Sequence, residues 1–259
     1  MQSLLMCGAV PDPHDPLFPL TQGRPKAMLE MAGKPMAQWV LDALSASDLV
    51  GGVIVIGLGR ESGLTTSKPV SFLPDHGSAV ENALAGVRRA LALAPETSHV
   101  LLTSCDVPTV TTEMIDWRIR AGIASGADFD YLAIERSVME ARFPESRRTY
   151  TPLRGMQVCG GDINVAHVRL ANNRDFIEKL TAARKSPLRM ASILGWEILG
   201  LFLTRQLTMG RASRLIGRNL GIAANFTLCP YAEMGMDIDK PHQFEMLRDD
   251  LARRGAAAV

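Results

Sequence analysis

Short apolar runs alternate with stretches of helical period along the first half of the chain. "SLLMC", "GVIVIGLG", "HVLLTSC" and "YLAIE" are continuous apolar runs bounded by glycine, proline or charge, the pattern of strands buried on both faces. "MAQWVLDALSAS", "SAVENALAGVRRALALA" and "TTEMIDWRIRAGIA" instead place apolar side chains at helical spacing. Strand and helix in turn predict βαβ units, and so an α/β, Rossmann-like, mostly parallel doubly wound sheet.

After Glu135 the regularity weakens. "RSVMEARFPESRRTYTPLRGMQVCGGD" holds no steady period and reads as a loop or small antiparallel ribbon over an active site. "INVAHVRL" and "IAANFTLC" are expected strands, "HQFEMLRDDLARR" a closing amphipathic helix, and about 186–220 a helical insertion in a single domain spanning 1–259. "MASILGWEILGLFL", Met190 to Leu203, is interrupted by Glu197 and falls short of the roughly 18 apolar residues of a spanning helix. Pro187 to Leu203 is therefore expected to be an interface or a lid, and a route by which copies could pair.

Composition narrows the function more than the fold. With 47% hydrophobic residues in 259, a large core can form. Twenty-eight basic and 27 acidic side chains leave a net charge of +1, so no global field draws the protein to nucleic acid or an anionic membrane. Cys7, Cys105, Cys159 and Cys229 are far apart, without a CxxC pair or zinc-ligand spacing, which argues against a disulfide framework or a structural metal. "MQSLLMC" lacks the positive charges and apolar length of a signal peptide. A cytoplasmic location is the expectation.

Ligands of open α/β sheets bind beyond the carboxyl ends of the strands. Four segments lie there: the Pro/Asp-rich loop after Gly8 that ends in Arg24 and Lys26, "DHGSAVENAL", "CDVPTVTTEM" and "EMGMDIDKPHQF". Arg24 and Lys26 precede a helix starting near Pro35, so two cations face the place an anion would occupy; Lys34 reads as a solvated turn residue. Ser78 and Glu81 form a capping box, while Gly77 and the helix-start amides could also approach a base or phosphate. Asp106 ends a strand stopped by Pro108. Asp237 and Asp239 alternate along an extended segment, where Asp239 reads as a helix cap and Asp237 as a metal ligand.

On "KAMLEMAGKPMAQWVLDAL", "DHGSAVENAL", "LLTSCDVPTVT" and "GMDIDKPHQFEML", the chain resembles nucleotidyltransferases of the glycosyltransferase A-like fold, also described as nucleotide-diphospho-sugar transferase-like. The branch is the one that includes molybdenum-cofactor guanylyl- and cytidylyltransferases. The resemblance implies Mg²⁺-dependent transfer of a nucleoside monophosphate from an NTP to an anionic or phosphorylated acceptor, a cofactor precursor or sugar phosphate, with pyrophosphate released. By matching position it makes Lys26, Arg24 and Asp106 catalytic, Gly8, Lys26, Gly77 and Ser78 nucleotide-binding, and Asp106 and Asp237 metal ligands. "CGGDIN", with Gly160, Gly161, Asp162 and Asn164, falls where relatives contact the acceptor, although a plain Gly-Gly turn explains it equally.

The opening loop departs from that family. Relatives carry glycines there, whose amides wrap a triphosphate; "CGAVPDPHDPLFPLTQGRPK" keeps only Gly8 before Gly23 and adds prolines, which have no amide to give. Either Arg24, Lys26 and the metal carry more of the phosphate charge, or the protein is a degenerate nucleotide or sugar-nucleotide binder acting as sensor or scaffold. A nicotinamide reductase would require GxGxxG after the first strand, which "CGAVPD" does not supply.

Overall fold

The computed structural model describes residues 1–184 and 195–257. In chain order the strands are β1 (Gln2–Met6), β2 (Glu30–Met31), β3 (Lys34–Pro35), β4 (Gly52–Ile56), β5 (Val70–Leu73), β6 (His99–Ser104), β7 (Phe129–Glu135), β8 (Thr151–Leu153), β9 (Met156–Gly160), β10 (Ile163–His167) and β11 (Ala224–Cys229). The helices are α1 (Phe18–Thr21), α2 (Met36–Ala46), α3 (Ala79–Leu93), α4 (Thr112–Ala124), α5 (Arg136–Arg142), α6 (Arg174–Arg184), α7 (Trp196–Leu203), α8 (Met209–Leu220) and α9 (Pro241–Ala257).

The main sheet runs β5-β4-β1-β6-β10-β7-β9-β8, with β11 also paired to β7. β1, β4, β5 and β6 are mutually parallel, β11 is parallel to β7, and β10 enters antiparallel between β6 and β7. The period of two settles the two faces. Leu5, Val53, Val55 and Leu101 pack with α2, α4 and α9; Leu4, Ile54, Ile56 and Val100 pack with residues of α3, α6 and α8. The expected doubly wound, mostly parallel sheet is present, as is the antiparallel ribbon, β8 and β9.

The stretch after Glu135 holds one element that its pattern did not announce. α5 buries Met139 alone of its residues, and a single apolar anchor leaves no helical period to read. The first part of the expected insertion, 185–194, lies outside the described residues. Its remainder is helical: α7 and α8 bury Ile198, Leu207, Ala212 and Leu215 against Leu153 and Phe226.

A fully buried arginine fastens α4 to the sheet. Arg118 donates from Nε to the Ile163 carbonyl at 2.8 Å and from Nη2 to the Asp130 carbonyl at 2.6 Å, and pairs with the Asp130 carboxylate. The other Asp130 oxygen accepts from Asn225 and Thr227. All four cysteines are buried free thiols, and among the described residues no helix is long and apolar enough to cross a membrane.

Candidate active site at the strand ends

β1 and β6 end side by side, where the Cys105 amide donates to the Met6 carbonyl. Gly8 and Asp106 follow shortly after on each chain segment. A Cβ at Gly8 would lie 2.7 Å from the Asp75 carboxylate, which would have to move aside. Lys26 opens a short 3-10 turn after Pro25, and its amide donates to the Ala9 carbonyl at 2.9 Å, which folds the Pro/Asp loop back over the strand ends. The Lys26 side chain is 8% exposed and donates to Asp106 at 2.7 Å and Asp239 at 3.2 Å. Burial alone would lower its pKa, but the two carboxylates outweigh it and hold the ammonium protonated well into the alkaline range.

Asp106, Asp237 and Asp239 converge. One carboxylate oxygen from each lies within 4.8 Å of the others. Asp237 forms an ion pair with Arg148, and both are largely buried. Asp239 does not serve as the expected cap: its carboxylate takes Lys26, and its amide donates to Gln243 in the first turn of α9.

Asp162 reaches the same place by a break in the sheet. Gly160 faces Ala133 and Val165 faces Asp130, so four residues (161–164) oppose two (131–132). The Asn164 side chain fills the gap by accepting from the Leu132 amide, and the extra residues carry Asp162 out of the ladder. Burial and the nearby Asp106 charge push the Asp162 carboxyl up to about 7, against the pull of Arg148. Its Oδ2 is buried without a hydrogen-bond partner among the described residues. Gly160 and Gly161 pack closely against β7: a Cβ on Gly160 would meet the Tyr131 hydroxyl, and one on Gly161 would lie 2.9 Å from the Leu132 Cβ.

A cavity of about 300 Å³ opens beside these groups, lined by Gly8, Lys26, Asp75, Gly77, Ser78 and Asp106 among others. Gly77 has φ +82°. Ser78 caps α3, accepting from the Glu81 amide. Asn82 fixes the rim by donating to Asp75 at 2.7 Å and accepting from the His76 amide. Arg24 is brought elsewhere: it is exposed, with Nε directed to the Thr21 carbonyl. Lys34 pairs with Asp42 and lies over Trp39, outside the cavity.

Sequence reasoning missed Arg148 and the Asp75–Asn82 pair. Arg148 lies in an aperiodic stretch beside Arg147 and carries no signal of its own. Asp75 and Asn82 lie within the segment "DHGSAVENAL" already singled out, but that they pair across the start of α3 is set by the fold and not by the pattern.

The sequence profile of the MobA-like NTP transferase domain matches residues 21–188, a span that holds Lys26, Gly77, Ser78, Asp106 and the 160–164 segment. Comparison with curated protein sequences gives no significant match. Among solved structures, a hypothetical transferase from Thermus thermophilus is 28% identical, covers 94% of this chain and 98% of its own, and superposes with a TM-score of 0.80. A CMP:2-keto-3-deoxy-manno-octonic acid synthetase complexed with CTP shares the fold at 14% identity, 98% coverage of both chains and TM-score 0.63. So does the 2-C-methyl-D-erythritol 4-phosphate cytidylyltransferase of Thermus thermophilus, at 18% identity, 97% and 98% coverage, and TM-score 0.53. With the profile matched over most of the chain and the fold shared throughout, the chain belongs to the MobA-like NTP transferase domain family and is a nucleotidyltransferase.

Proposed function

We propose that the protein transfers a nucleoside monophosphate from an NTP to an anionic acceptor, with Mg²⁺ bound and pyrophosphate released. The observation that carries this reading is the convergence of Asp106, Asp237 and Asp239 around a buried Lys26 at the mouth of the cavity. Three hard oxygen donors within 4.8 Å of one another suit Mg²⁺, which takes one or two protein carboxylates and completes its shell with water and phosphate. Asp106 and Asp237 would hold it, with Asp239 beside them on Lys26. Bound there, the metal would supply charge neutralisation for the phosphates.

The residues of the chain divide the remaining work. Lys26 is preorganised by its carboxylates to meet phosphate charge, and with Arg24 outside the cavity it is the cation that borders it. Gly77 and the start of α3 allow close approach of the nucleoside. The Asp75 carboxylate, held by Asn82, accepts hydrogen bonds and so suits a base that presents an N–H donor to it. The solved relatives that are cytidylyltransferases make CTP the first nucleotide to try. Asp162 and Arg148 flank the acceptor side.

The competing reading, a nucleotide binder without turnover, has one observation in its favour. Asp12 and Asp15 accept from the loop's own amides at His14 and Leu17, so those amides are engaged within the loop. Pyrophosphate release from each NTP, with and without Mg²⁺, over a panel of phosphorylated sugars and cofactor precursors separates the two. Metal-dependent release that Asp106→Asn and Asp237→Asn abolish is expected. NTP binding with no release from any pair would leave the binder.

A further inference from the structure

Arg148 occupies a carboxylate that the proposed metal also needs. Asp237 offers an oxygen within 4.8 Å of those of Asp106 and Asp239, yet it is ion-paired with Arg148, and both side chains are about 85% buried. The arginine is incompletely satisfied there, because its Nε is buried without an acceptor among the described residues. The residue before it, Arg147, has φ +50°, a left-handed conformation that favours glycine.

Charge balance makes the pairing conditional. Asp106, Asp162, Asp237 and Asp239 face Lys26 and Arg148, so carboxylates outnumber the cations even with Asp162 protonated. A divalent cation reverses that imbalance and takes over the neutralisation of Asp237. A guanidinium set free in a pocket that excludes most water then requires another anion, and its planar fork matches a phosphate or carboxylate bidentately. The neighbours that remain include Tyr131, Cys159 and Asp162, the last two at the end of β9 and in the break that follows it.

We propose that Arg148 is an oxyanion receptor gated by the metal: it holds Asp237 in the metal-free protein and, displaced when a divalent cation takes that carboxylate, binds the anionic group of the acceptor. This rests on the nucleotidyl-transfer reading above and adds an order of binding, metal before acceptor.

The test reads the Arg148 Nε–Hε signal in ¹H–¹⁵N spectra of the full chain, assigned by its loss in Arg148→Lys. Mg²⁺ alone should move the signal, and inorganic phosphate should move it again only when Mg²⁺ is present; acetate in place of phosphate distinguishes a carboxylate receptor from a phosphate one. By calorimetry, Arg148→Gln should bind Mg²⁺ roughly tenfold more tightly, about 1.4 kcal/mol of competition removed, and should lose the Mg²⁺-dependent binding of phosphate. Arg148→Lys, which keeps the charge without the fork, should retain wild-type Mg²⁺ affinity and bind phosphate weakly. Failure of the wild type to bind Mg²⁺ at all would overturn the metal-dependent reading together with this proposal. Mg²⁺ binding that leaves the Arg148 signal unmoved overturns the gate alone. Phosphate that is displaced by α,β-methylene-CTP belongs to the nucleotide's own phosphates, and overturns the acceptor assignment.

Discussion

Lys26 and Lys34 are eight residues apart in the chain and differ in everything that decides function. Lys26 is buried against two carboxylates, whereas Lys34 is half exposed and pairs with Asp42 on the surface. Removing a preorganised charge donor costs on the order of 100-fold in rate, so Lys26→Ala should lower kcat/KM by about that much and Lys34→Ala should leave it near wild type. Steady-state pyrophosphate release measures both, and equal small losses would return Lys26 to a packing role. Asp162 titrates instead. Its folded pKa of about 7 lies above the unfolded value of about 3.9, so the stability it confers is complete at low pH and is lost as pH rises through 7. In metal-free protein Asp162→Asn should match the wild-type Tm near pH 4 and exceed it increasingly up to a plateau above pH 7. A Tm difference independent of pH would mean that Asp162 is not held neutral. The residues legible in the sequence, Lys26, Asp106 and Asp237, each lie beside a strand end or a turn with its own signature. Arg148 was not, because what gives it meaning is a partner 89 positions away, Asp237.

At the scale of elements, strands and long helices were legible because burial on two faces imposes continuous apolar runs and helical stripes. What escaped was decided by tertiary geometry. The break between β9 and β10 is a two-residue change of register, and nothing in "CGGDIN" specifies whether the glycines touch a ligand or a neighbouring strand. In the structure both stand tight against β7. A Cβ on Gly161 would come within 2.9 Å of the Leu132 Cβ, an atom that moves only with its backbone. Gly161→Ala should therefore destabilise by about 1–3 kcal/mol, measured by urea unfolding. An unchanged midpoint together with a raised acceptor KM would restore the ligand-contact reading.

The whole molecule is tied together by charge where its closing helix meets the middle of the sequence. Arg142 reaches Glu233 and Asp250, and Arg254 joins both carboxylates, linking α5, the turn before Asp237 and the closing helix. Burial opposes ionisation of Asp250, but the Arg142 hydrogen bond and the surrounding arginine charges prevail and hold its carboxyl below the ordinary range. A depressed folded pKa contributes stability above the unfolded value that is lost as pH falls through the folded one. Wild-type Tm should thus fall on acidification below about pH 4, and Asp250→Asn should flatten that part of the profile. The same turn carries Asp237 into the site, so acid should loosen metal affinity before the sheet melts.

The four buried thiols make the protein its own reporter of opening. Burial is the main force raising the Cys159 and Cys229 thiols, the latter to about 12, and Cys7 is raised by its neighbour Cys105 as well as by burial. Thiolate is the species that alkylates, so the folded chain should resist iodoacetamide and react only through excursions that expose a cysteine. Each position samples a different excursion: Cys7 and Cys105 the strand ends under the Pro/Asp loop, Cys159 the ribbon, Cys229 the end of β11. Timed labelling read by peptide mass would rank these regions by how often they open, and nucleotide with Mg²⁺ should slow Cys7 and Cys105 more than Cys229.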